Sequence, residues 1–136
     1  MKGKRLSKFK EEQGQSMVEF ALVIPLLLLL ILGIIDFGWI YHSKIQLDDA
    51  SNIGARYAIT LDNSQTSQNQ IKSQIYSALP NVPQSNLTIT ITYSSGTTGN
   101  VTISINENVT PPGPLTNVFA FNNAITLKSS TTMKMS

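Results

Sequence analysis

Cysteine is absent from this 136-residue chain, which excludes a disulfide framework, a thiolate nucleophile and a thiolate metal site. Histidine occurs once, at His42, so no His cluster exists for metal binding or for a catalytic triad. Charge is sparse too, at 13% Asp, Glu, Lys and Arg. Past residue 14 the carboxylates are Glu19, Asp36, Asp48, Asp49, Asp62 and Glu107, too scattered for an acid–base dyad. Asp48, Asp49 and Asp62 lack the spacing and the glycine of a calcium loop. An enzyme is therefore not expected, nor a cofactor, a metal or a small-molecule substrate. The net charge of +2 comes entirely from Lys2, Lys4, Arg5, Lys8 and Lys10 near the N-terminus. Residues 15–136 carry five basic against six acidic side chains, which removes the electrostatic footprint that nucleic-acid binding requires.

What the chain has instead is a long apolar run. Phe20 to Ile35 is 16 residues without a polar side chain. As a helix it measures about 24 Å, and extension to Met17 and to Tyr41 spans the roughly 30 Å of a bilayer's hydrocarbon core. Trp39 and Tyr41 then fall where interfacial aromatics belong. The basic residues ahead of the run place the N-terminus in the cytoplasm and the rest outside. A secretory signal peptide fits poorly, because the run is too long and no small-x-small site follows it.

Glu19 stands at the mouth of this span, where a buried charge costs about 2.5–3.5 kcal/mol at the helix centre by insertion scales. Gly14 lies five residues earlier, behind the basic leader, and its missing side chain suits a tight scissile site. Cleavage after Gly14 would free the amine of Gln15, cationic at neutral pH, as a partner for Glu19 on a neighbouring chain or the same one. Losing one member of such a buried pair costs about 3–5 kcal/mol, whereas keeping it is nearly neutral, so Glu19 would set register rather than add stability. The plainer alternative is that Glu19 snorkels into the headgroups. Pro25 removes an N–H and collides with the Ala21 carbonyl, which makes it either a hinge or an ordinary membrane-helix proline.

The leader with Gly14, the block Val18-Glu19-Phe20-Ala21-Leu22-Val23-Ile24-Pro25, the run ending Gly33-Ile34-Ile35-Asp36-Phe37-Gly38, and Ala50-Ser51-Asn52-Ile53-Gly54-Ala55-Arg56-Tyr57-Ala58 resemble the TadE-like proteins. These are pilin-like subunits of Tad (tight-adherence) pili within the type IV filament superfamily. The specific resemblance covers residues 14 to 58, with an architectural likeness in the closing strand. It implies Gly14, Gln15 and Phe20 at a prepilin-peptidase site, Glu19 and Pro25 at inter-subunit contacts, and other pilin-like subunits, the prepilin peptidase, the pilus assembly platform and membrane lipid as partners.

Beyond the span, Ile40, Leu47, Ala50, Gly54, Tyr57, Ala58 and Leu61 recur at helical spacing, with Lys44, Asp48, Asp49, Asn52 and Arg56 mostly opposite. One helix from about Ser16 to Leu61 is predicted, with Arg56 near Asn52 and Asp49, and a stop at Asp62-Asn63-Ser64. A second helix is expected over Ser67–Leu79, ended by Pro80. Two strands alternate with period two around Leu87–Tyr93 and Val101–Ile105, joined by a glycine-containing loop. After the rigid Pro111-Pro112-Gly113-Pro114 come an apolar patch (Leu115, Val118, Phe119, Phe121) and a third strand over Ala124–Met135. Ser, Thr and Asn make up 34 of the 77 residues from Thr60 onward, a hydrated exterior composition. In so Asn- and Thr-rich a chain the sequons at Asn86, Asn100 and Asn108 carry little weight.

The expected fold class is α+β and pilin-like: a long N-terminal helix, a short helix and a small antiparallel sheet. The expected division is a cytoplasmic leader over 1–14, removed on maturation, a transmembrane helix over 15–41 and an extracytoplasmic head over 42–136. The function it suggests is a minor structural subunit of a Tad-type pilus; the alternative is an unprocessed single-pass membrane protein whose head binds a partner or surface.

Overall fold

The computed structural model describes the backbone of residues 3–61, 64–94, 99–113 and 124–135, with side chains from residue 14 onward. The predicted Asp62-Asn63 helix stop, the middle of the hairpin loop and the Leu115–Phe121 apolar patch lie outside the described residues.

Helix α1 (Gly3–Ala58) is a single element of 56 residues with Pro25 inside it. It begins earlier than expected, within the basic segment. The Lys, Arg, Glu and Gln there are all good helix formers, and no glycine or proline cluster interrupts them. Helix α2 (Gln65–Ala78) also starts ahead of the expected Ser67. Ser64 is its N-cap: the hydroxyl accepts the Ser67 N–H at 3.1 Å, which satisfies one of the four unpaired donors of a first turn. A single 3-10 turn (Gln84–Asn86) leads into the sheet.

Strands β1 (Leu87–Ser94), β2 (Asn100–Val109) and β3 (Ile125–Lys134) form one antiparallel sheet with β2 in the centre. The β1–β2 register sets Ile89 against Ile105, Ile91 against Ile103 and Tyr93 against Val101. Period-two alternation thus turns one face apolar toward the helices and the other face polar toward solvent. On the outer face Thr102 meets Thr132 at 2.8 Å and Ser104 meets Ser130 at 3.1 Å, cross-strand hydroxyl pairs that tie β2 to β3.

The core lies between α1, α2 and the sheet. Leu47, Ala50, Ala55 and Ala58 of α1, Ile71 and Ile75 of α2, and Val101, Ile103 and Ile105 of β2 are fully buried. Small residues on α1 let α2 come close. A Cβ on Gly54 would stand 2.7 Å from Ile75 Cδ1 and 2.8 Å from Ile75 Cγ1, so the glycine is a packing requirement.

Lys44, Asp48 and Asn52 of α1 form a half-exposed polar seam along β3. Lys44 Nζ donates to the Lys128 carbonyl at 2.6 Å and to Asp48 at 2.5 Å. The Thr131 hydroxyl donates to Asn52 Oδ1 at 3.2 Å. Buried Ser51 sits 2.8 Å from both Ser129 Oγ and Thr131 Oγ1, and its hydroxyl reaches the Asp48 carbonyl at 2.9 Å. The cause lies in β3, whose inward positions carry Ser129 and Thr131 where β2 has isoleucines, so the helix flank above it must be polar as well. Arg56 is exposed and makes no hydrogen bond or ion pair with Asn52 or Asp49 among the described residues.

Candidate functional site

From Met17 to Ile31 every side chain of α1 is exposed, with Met17 77% and Phe20 66% accessible. An 18-residue window within Gly14–Ala58 reaches a mean hydropathy of 2.9, and none of it is buried in the molecule. An isolated helix that is apolar all round is out of place in water; its partners must be lipid or other apolar helices. The head packs only on the C-terminal part of α1, so half of the spine stands free.

At the start of this free half, Gln15 and Glu19 lie one turn apart on the same face. The Gln15 side-chain amide donates to Glu19 Oε1 at 3.3 Å. Gly14 is exposed with nothing within 4 Å of where a Cβ would be. Pro25 sits within continuous helix, in the exposed apolar stretch. Gly14, Gln15, Glu19 and Phe20 therefore share one accessible end of the spine, and Pro25 follows one and a half turns beyond Glu19.

Asp36, one of the scattered carboxylates, proves to be where the spine meets the head. It is 9% exposed, and its Oδ1 has no hydrogen-bond partner among the described residues. Gly113, on the loop after β2, is packed directly against it: a Cβ there would fall 1.3 Å from Asp36 Oδ1. Only a glycine at that loop position lets the backbone close over the helix. Asp36 and Ser43 continue toward the N-terminal half of α1 the same stripe that Leu47, Ala50, Ser51, Gly54 and Ala58 present to the head.

Glu107 was equally unremarkable in sequence, although its place in the β2 alternation, in phase with Val101, Ile103 and Ile105, could have marked it as inward-facing. It is 6% exposed, and burial pushes its carboxyl above the ordinary range. It lines a cleft of about 450 Å³ between α1, the Asn81–Asn86 connection and the end of β2. His42 lines the same cleft from α1. No group of three or more metal-ligating side chains occurs among the described residues.

A small α+β head carrying a lone apolar helix, long and apolar enough to cross a membrane, is a pilin-like architecture. Residues 14–56 match the model of the family described as TadE-like protein, in agreement with the resemblance carried by the sequence motifs. That family is a structural, pilus-associated one, and the matched stretch is the spine, ending before α2. No curated protein and no solved structure matches the chain significantly.

Proposed function

We propose that this protein is a minor pilin-like subunit of a Tad-type pilus, cut by a prepilin peptidase after Gly14 and assembled through its spine. The observation that carries the reading is the free apolar helix with Glu19 at its mouth, one turn from Gln15. Residues 1–14 are the cytoplasmic leader, 15–41 cross the membrane and 42–136 form the head outside it. Once Gly14 is removed, the new ammonium at Gln15 lies a single turn from the Glu19 carboxylate of its own chain and is equally open to a neighbour's. In the dry interior of a helical stack, that pair fixes which subunits align, since a misaligned helix leaves a charge unpaired. Phe20 completes the processing segment, and Pro25 gives the spine a place to bend as it leaves the bilayer for the filament. The assembly platform and other pilin-like subunits are its partners.

Mass determination of the membrane-extracted protein tests the processing step: a chain beginning at Gln15 supports it, and one beginning at Met1 leaves an unprocessed anchored binding protein instead. Glu19→Ala tests assembly. Removing the charge eases insertion, so the variant should be inserted and clipped yet accumulate in the inner membrane with few pili. Wild-type piliation in that variant would show that Glu19 has no part in assembly.

A further inference from the structure

The cleft beside Glu107 has no role in processing or in spine packing, and it is built from side chains that suit one kind of ligand. Glu107 stands on its β2 wall, nine-tenths buried, with no hydrogen bond or ion pair among the described residues. A carboxylate left in that position favours a cationic hydrogen-bond donor. Trp39, the chain's sole tryptophan, forms part of the α1 wall and offers a π face to a cation. Around them Gln46 and Asn86 supply amide N–H donors, and His42 supplies an imidazole nitrogen, groups that suit an anionic oxygen.

The cleft also has a fixed depth if the apolar run is a membrane span, the reading on which this inference rests. Trp39 and His42 follow Ile35 by four and seven residues, or about 6 to 10 Å along the axis. The headgroup layer on each side of a bilayer is about 5–8 Å thick. The cleft mouth therefore opens at the level of the phosphates and their amine substituents.

We infer that this cleft binds the headgroup of an aminophospholipid of the phosphatidylethanolamine type, with the primary ammonium at Glu107 and Trp39 and the phosphate toward His42 and the amide side chains. A quaternary choline headgroup carries no N–H to donate to Glu107, so the site discriminates between two zwitterionic lipids of equal net charge. Its partial enclosure under β2 and the Asn81–Asn86 connection accounts for a buried acid that the fold itself leaves without a cation. Binding there would fix the head against the outer surface of the bilayer before the subunit leaves it.

The test uses the full chain reconstituted into vesicles of phosphatidylcholine alone or with half the lipid replaced by phosphatidylethanolamine, with Trp39 emission as the readout. Emission should shift saturably with ethanolamine lipid, and Glu107→Gln should weaken the response about tenfold or more, the equivalent of one charge-assisted hydrogen bond. Glu107→Gln keeps the shape of the side chain and removes a buried charge, so its thermal midpoint should not fall below wild type, which separates lost binding from lost folding. Equal emission in the two vesicle types, or an unchanged response in Glu107→Gln, would overturn the inference. Free phosphoethanolamine provides a further arm: a response to it with none to the vesicles would overturn the lipid source. Alkaline carbonate separates this inference from the membrane reading. Release of the chain from vesicles sinks that reading, whereas a retained chain with a headgroup-blind Trp39 sinks the inference alone.

Discussion

Replacing Gly54 by alanine sets two well-known effects of known size against each other. Alanine is favoured over glycine within a helix by about 0.8–1.0 kcal/mol. The new methyl would, however, stand 2.7 Å from Ile75 Cδ1 and 2.8 Å from Ile75 Cγ1, with Ile103 Cγ2 behind at 3.6 Å. Cδ1 alone could swing aside, but Cγ1 is close to the backbone of a fully buried residue and cannot. Overpacking of this kind costs about 1–3 kcal/mol, so Gly54→Ala should be a net loss of about 1 kcal/mol, or about 4–8 °C in a head of this size. Gly38→Ala on the same helix has open space around it and should show the propensity gain without the penalty. The decisive partner is Ile75→Val, which removes Cδ1. Alone it should cost about 0.5–1.5 kcal/mol; combined with Gly54→Ala it should cost less than the sum, because the added methyl occupies the vacated space. Calorimetric unfolding of the full chain in one detergent measures the four variants beside wild type. A Gly54→Ala midpoint raised as far as that of Gly38→Ala would refute the close approach of α2 to α1.

Three further outcomes follow from polar groups in the head. Ser51→Ala should destabilise by about 1–3 kcal/mol in denaturant titration, because Ser129 and Thr131 lose their buried partner; replacing all three hydroxyls with apolar groups of like size should cost less than the single change. Burial raises the Glu107 carboxyl above its ordinary 4.5, so its contribution to stability is full below that value and is lost as pH rises through the higher folded value. Glu107→Gln should therefore match wild type in acid and exceed it at neutral pH in unfolding measured across that window. At Asp48, burial pushes the carboxyl up, but hydrogen bonds from Lys44 and Ser129 and the Lys44 charge prevail and hold it below 3.8. Its contribution is present above 3.8 and lost as pH falls through the lower folded value, so Asp48→Asn should flatten the acid limb of the same curve.

Periodicity made most of the architecture legible. The apolar spine, the second helix and the alternating strands were readable because each follows a single local rule, 3.6 or 2 residues per repeat. What the side of α1 that carries Lys44, Asp48 and Asn52 packs against was not legible, because the deciding fact lies some 80 residues away: β3 turns Ser129 and Thr131 inward, which makes a polar helix flank the better fit. Asp36 and Glu107 escaped notice for the same reason. Each is an unexceptional acid in its own stretch, and only the loop at Gly113 or the wall of the cleft gives it a setting. Gly14, Glu19 and Pro25 could be singled out because their spacing is local to one helix.

The continuity of α1 has a mechanical consequence. With about 100° of rotation per residue, the head-facing stripe through Leu47, Ala50, Gly54 and Ala58 lies roughly a quarter turn around the axis from Glu19. No loop separates the two along α1, and a bend at Pro25 tilts the axis without breaking the helix, so the spine acts as a torsion rod. Whatever Glu19 docks against also sets the compass bearing of the head, about 50 Å away along the axis to Gly54. Inserting a single residue between Pro25 and Asp36 would swing the head by roughly 100° while leaving both ends chemically intact. A chain of this design carries orientation, as well as position, from one end of the spine to the other.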